Sequence, residues 1–101
     1  MAVYILRFAK GVASDFKQLP VFHQRLVLDA IEAQLVHEPT RPTRNRKMLV
    51  DLIPPFPAEP PVWQLRVGEY RVFYDVSEEK SIVLVRAIRR KPPGKTTEDI
   101  L

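Results

Sequence analysis

The chain has 101 residues, with 16 Lys+Arg against 12 Asp+Glu, a formal charge of +4 and no cysteine. That length gives one small domain with one modest core and leaves no room for a second, while the missing thiols exclude disulfides and thiolate chemistry. Arg7 and Lys10 interrupt the first apolar run, so neither a signal peptide nor a membrane span is expected and the chain reads as cytoplasmic.

Val3 to Phe8 is rich in β-formers and predicts a first strand. Val12, Phe16 and Leu19 recur at i, i+4 and i+7, one face of a short helix ending at Pro20. Val27, Leu28, Ile31 and Leu35 line a second helix from Val21 to His37, stopped before Pro39 because the residue ahead of a proline avoids the α region. His23 and His37 lie on or at the end of that helix and read as ordinary surface histidines. Glu38 to Lys47 reads as a loop; within it Arg41, Arg44, Arg46 and Lys47 fall among seven residues without an acid. Met48 to Leu52 predicts a short second strand. Residues 53–61 hold five prolines in nine positions, which forbids helix and ladder alike and predicts a stiff, extended connector at the surface.

Residues 63–76 carry the clearest signal: two alternating β-branched and aromatic runs joined by Gly68-Glu69. Two loop residues with glycine first suit a type II′ turn between antiparallel strands. Counting outward, Val67 faces Tyr70, Arg66 faces Arg71, Leu65 faces Val72, Gln64 faces Phe73 and Trp63 faces Tyr74. Trp63, Leu65, Val67, Tyr70, Val72 and Tyr74 then form a packing face; Gln64, Arg66, Arg71, Phe73 and Asp75 occupy the other, with Arg71 exposed to solvent. Like charges directly opposite cost about 0.2–1 kcal/mol, so an anion to offset the arginine pair is one reading and two solvated side chains the other.

Ser81 to Ile88 predicts the next strand. Pairing Val76 with Ser81 across the polar turn sets Arg71 opposite Arg86, so that three arginines from three strands share a face, with Arg89, Arg90 and Lys91 at the strand exit. Such a cluster repels itself unless phosphate or carboxylate is near. Residues 86–95 also lack an acid. In the tail, Pro92-Pro93-Gly94 breaks the strand, and Thr97 followed by acids predicts no more than a turn of helix. The order β-α-α-β-β-β-β describes an α+β fold, with two N-terminal helices packed on a four- to five-stranded, mainly antiparallel sheet.

No phosphate-binding glycine loop, metal-ligand spacing or Ser/His/Asp order is present, so no metal and no cofactor is expected. What remains is a basic and aromatic surface for a phosphodiester backbone, with Phe73 as a base-stacking platform and Gln64, Arg44, Arg46, Lys47, Arg86 and Arg89 as further contacts to that backbone.

Leu65-Arg66-Val67-Gly68-Glu69-Tyr70-Arg71-Val72-Phe73-Tyr74, then an acidic turn, a valine-rich strand and Arg89-Arg90-Lys91, resembles the core of the RelE/ParE superfamily, the toxin halves of bacterial toxin–antitoxin pairs. The resemblance implies the same α+β architecture, a cognate antitoxin as partner, and one of two activities. RelE-like toxins cleave messenger RNA on the ribosome; ParE-like toxins inhibit DNA gyrase by binding. For the nuclease, Arg71 matches the central arginine of the motif and Arg66 a basic position on the facing strand. Lys91, or Arg90 with the alignment slipped by one, takes the place of a second family arginine. The chain departs from the nuclease pattern in having Val62 and Gln64 where further lysines are usual, and Thr96 and Thr97 where a C-terminal tyrosine is usual. A basic module without toxicity is the third reading.

Overall fold

A computed structural model describes residues 3–101. Its elements are β1 (Ile5–Phe8), α1 (Val12–Lys17), α2 (Val21–Leu35), β2 (Arg46–Met48), β3 (Trp63–Val67), β4 (Tyr70–Ser77), β5 (Ile82–Arg90) and α3 (Thr97–Ile100). The strands form one sheet in the order β1-β5-β4-β3-β2; β1 runs parallel to β5 and every other neighbour is antiparallel. This is the α+β arrangement expected, with five strands.

Helices α1 and α2 lie on one face. Val12 of α1 and Val27, Ile31 and Leu35 of α2 meet Trp63, Leu65, Val67, Tyr70, Val72, Tyr74, Val83, Val85 and Ile88 in one buried cluster. The hairpin has the register that counting from Gly68-Glu69 gives. Gly68 takes φ 57° and Glu69 stays out of the left-handed region, as a type II′ turn requires.

The opposite face of the sheet is covered as well. Val62, Phe73 and Ala87 form a second cluster under Leu49, Phe56 and Ala58 from the proline-rich connector and its approach, and under Ile100 and Leu101 from the tail. The connector therefore closes a layer besides linking two strands. Phe73, expected as a stacking platform, is fully buried, with the Phe56 ring 5.9 Å away. Alternation puts it on the right face, but an apolar ring on that face collects a cover instead of staying wet.

Three local expectations change. The second strand begins at Arg46, inside the stretch read as loop, and Asp51 leaves the extended region at φ 56°, so the strand cannot run to Leu52. Helix α2 ends at Leu35, two residues before His37, and the Val36 carbonyl instead accepts from the Tyr4 amide at 2.8 Å. Between β4 and β5 the turn keeps four residues but sits one position later than expected: Ser81 lies within it at φ 53°, Ser77 pairs with Ile82, and Val76 faces Val83, not Ser81. An irregularity opposite Phe73 and Tyr74 then shifts the register again, so Arg71 faces Arg89 and Arg86 is the extra, unpaired residue of the bulge.

Candidate functional site

At the end of the sheet nearest the hairpin turn lies a groove lined by Thr43, Arg44, Asn45, Arg46, Lys47, Gln64, Arg66, Arg71, Lys91 and Thr97. No acid is among them. Cross-strand pairing builds this: Lys47 sits beside Gln64 and Arg66 beside Arg71, so β2, β3 and β4 each contribute a polar side chain to one row. The Lys91 amide donates to the Glu69 carbonyl at 2.5 Å and holds the exit of β5 against the hairpin turn.

Arg71 is held tightly there. It is 8% exposed, where solvent exposure was expected. The cause is local: its Nη1 donates to the carbonyls of Gly68 and Tyr70, each at 2.9 Å, folding the guanidinium onto the hairpin tip. Its other nitrogens have no protein partner among the described residues. Burial, and then the neighbouring Arg66 charge, lower its pKa from the ordinary arginine value. An anion drawn to this spot meets a charge already partly desolvated and already oriented, the condition under which a guanidinium acts most strongly.

The structure sorts the remaining candidates by what neutralises them. Arg86, expected to face RNA, is 14% exposed at its side chain and donates from Nε to Asp75 Oδ2 at 2.6 Å. Arg89 donates from Nη1 to Asp15 Oδ2 at 2.9 Å, and Arg90 pairs with Glu69 at 3.1 Å. Arg46, another expected RNA contact, is buried; its Nη1 donates to the carbonyls of Gln34 at 2.5 Å and Glu38 at 2.6 Å, capping the end of α2. These four are held by the fold. Arg44, Lys47, Arg66, Arg71 and Lys91 have no acidic partner among the described residues, and all five line the groove. Gln64 lies in the same row, its Oε1 accepting from Thr97 Oγ1 at 2.7 Å, which brings the tail into the groove wall.

Two features escaped the sequence reading. Thr97 was read as a helix start and as a departure from the usual C-terminal tyrosine, yet it enters the groove while Thr96 caps α3 through its hydroxyl and Asp99. His23 is half-buried and its Nδ1 lies 2.6 Å from the Tyr70 hydroxyl. No local signal marks either contact, since both join residues more than thirty positions apart.

Two helices on one face of a mixed five-stranded sheet, with a groove of cations at one end, define a small α+β fold. The chain belongs to the ParE toxin family of type II toxin–antitoxin systems (parDE), whose model matches residues 6–91, and so to the RelE/ParE superfamily. Among solved structures it is similar to the RelBE2 toxin–antitoxin complex of Mycobacterium tuberculosis, with 22% identity, 90% of this chain and 94% of that chain covered, and a TM-score of 0.71. It is also similar to the archaeal RelE–RelB complex of Pyrococcus horikoshii OT3, with 23% identity, 93% and 99% covered, and a TM-score of 0.68. Free Escherichia coli RelE, a double mutant, shares the fold at 18% identity, 92% and 87% covered, and a TM-score of 0.53. At these identities the likeness is one of fold. No curated protein sequence matches the chain.

Proposed function

We propose that this toxin binds the backbone of messenger RNA in the ribosome through its basic groove and cleaves it. The observation that carries the reading is the sorting of charge: acids hold Arg86, Arg89 and Arg90, whereas five cations beside one another are left unpaired and have no acid within the groove they line. In the reaction a ribose 2′-hydroxyl attacks the adjacent phosphorus and the 5′-oxygen departs, leaving a 2′,3′-cyclic phosphate and a 5′-hydroxyl end. Arg66 and Arg71 stabilise the charge that builds on the phosphate. The amines of Lys47 and Lys91 are the groove groups suited to carry a proton, because an arginine stays protonated. A cognate antitoxin carrying acidic residues covers the same groove, and the complex forms in the cytoplasm.

Gyrase inhibition is the second reading. It is favoured by the groove's lining, which offers no imidazole, phenol or carboxylate for proton transfer. Mapping messenger-RNA ends after induction separates the two. New 5′ ends at codon-phased positions support cleavage; growth arrest with intact messages and altered DNA supercoiling supports gyrase as the target.

The charge sorting also predicts a salt response. For single-stranded RNA, log K falls against log salt with a slope of about −0.7 per phosphate neutralised, so five unpaired cations bound the slope near about −3.5. Lys47→Ala should make it shallower by about 0.7, while Arg90→Ala, whose partner is Glu69, should leave it unchanged. Equal effects of the two substitutions in a salt titration would show that the groove is not the binding surface.

A further inference from the structure

We infer that His23 of α2 and Tyr70 of β4 form a positioning pair that fixes the guanidinium of Arg71 from the opposite face of the sheet. The inference rests on the reading of Arg71 as a phosphate ligand, and it adds two residues that are not among those lining the groove. His23 Nδ1 and the Tyr70 hydroxyl are 2.6 Å apart, and their rings meet edge to face at 5.5 Å between centroids. Tyr70 is 8% exposed and His23 half-buried, so solvent competes weakly for this bond.

Tyr70 is the first residue of β4, directly after the Gly68-Glu69 turn. Its side chain points to the helices and its carbonyl accepts from Arg71 Nη1, as does the carbonyl of Gly68. The Glu69 carbonyl between them accepts from the Lys91 amide. Three consecutive carbonyls of the hairpin tip therefore set Arg71 and the backbone at Lys91, two of the five groove cations. Beyond the ladder, the side-chain tie that anchors this tip to a helix runs from Tyr70 to His23. A two-residue turn at a sheet end is otherwise a place where strands fray. The bond to α2 transfers the rigidity of a fifteen-residue helix to the point from which the guanidinium is aimed, and a loosely supported group loses the geometry its chemistry needs.

The test uses the full-length chain and two separate readouts. The first is the Arg71 Nε–Hε signal in 15N NMR, which reports guanidinium order without any RNA. In Tyr70→Phe, which keeps the ring and removes the hydroxyl, that signal should broaden or collapse toward the signals of exposed arginines while the core methyl signals stay in place. His23→Ala should do the same, the double variant should be no worse than either single one, and His23→Asn, whose amide can reach the Nδ1 position, should restore the wild-type signal. The second readout is affinity for a short single-stranded RNA at low salt, expected to fall about three- to tenfold in Tyr70→Phe, the weight of one lost hydrogen bond. An Arg71 signal unchanged in Tyr70→Phe overturns the positioning role whatever the affinity does. If the wild-type chain binds no RNA, the phosphate reading fails by itself, and the Arg71 signal still decides whether the pair positions that residue. Loss of the whole dispersed spectrum in both single variants would show a folding role in place of a positioning one, and would likewise overturn it.

Discussion

Asp75→Ala is expected to lower the stability of the domain by about 3–5 kcal/mol, the cost of leaving one partner of a buried ion pair alone. Asp75 is 4% exposed, and the side chains of Arg86 and Asp75 are 14% and 6% exposed. The carboxylate accepts twice from Arg86, Nε to Oδ2 at 2.6 Å and Nη2 to Oδ1 at 3.3 Å, and Oδ2 also accepts from the Glu59 amide at 3.0 Å. Alanine thus strands a guanidinium that is mostly out of water and unpins the proline-rich connector from β4. That connector supplies Phe56 and Ala58 to the cover over Phe73, so the loss should spread to the second cluster. Urea denaturation measures the effect as a lower midpoint. Replacing both Asp75 and Arg86 with apolar residues of similar volume should recover much of it, because the stranded charge goes with its partner. A loss under about 1 kcal/mol for Asp75→Ala would mean that the pair behaves as a surface salt bridge.

The hairpin could be read from sequence because its determinants are local. Gly68-Glu69 fixes the turn, strict alternation fixes the faces, and together they place Arg66 opposite Arg71 without knowledge of the rest. The helix face of the sheet followed from the same alternation. The other face did not, because its cover comes from residues 56–58 and 100–101, far away in the chain and without a period of their own. That is why Phe73 looked like a stacking surface and is a core residue. Arg86 was misplaced by two small events, a turn that takes Ser81 at positive φ and a bulge at Phe73/Tyr74, each worth a shift of register. Arg46 was misjudged for a different reason: a run of cations in sequence looks uniform, while its members differ in what lies within reach. Two free carbonyls at the end of α2 claimed Arg46, and Arg44 and Lys47 stayed with the groove. Charge patterning predicted the sign of the surface, and the acids contributed by other elements decided which cations remained available to a ligand.

Arg71→Ala should abolish growth arrest, with a loss of about 2.7–4 kcal/mol in the rate of RNA cleavage, the scale for removing one oriented donor from a developing oxyanion. The side chain is buried at the hairpin tip, so the substitution also removes two hydrogen bonds to the carbonyls of Gly68 and Tyr70. At about 0.5–1.5 kcal/mol each, those contacts make a modest loss of stability part of the expectation, and activity must be compared at a temperature where both proteins are folded. Arg66 supplies the control: it is exposed and makes none of these backbone contacts, so Arg66→Ala should reduce cleavage with little change in melting temperature. Arg71→Lys should recover only part of the activity, because an ammonium reproduces the charge but neither the fork of donors nor the two carbonyl contacts that aim it. Removing Arg71 also relieves its repulsion with Arg66 across the strand pair, which offsets some of the lost bonding and keeps the folded state populated. A folded Arg71→Ala protein that still arrests growth and still generates new messenger-RNA ends would remove Arg71 from the reaction and leave the groove with a binding role alone.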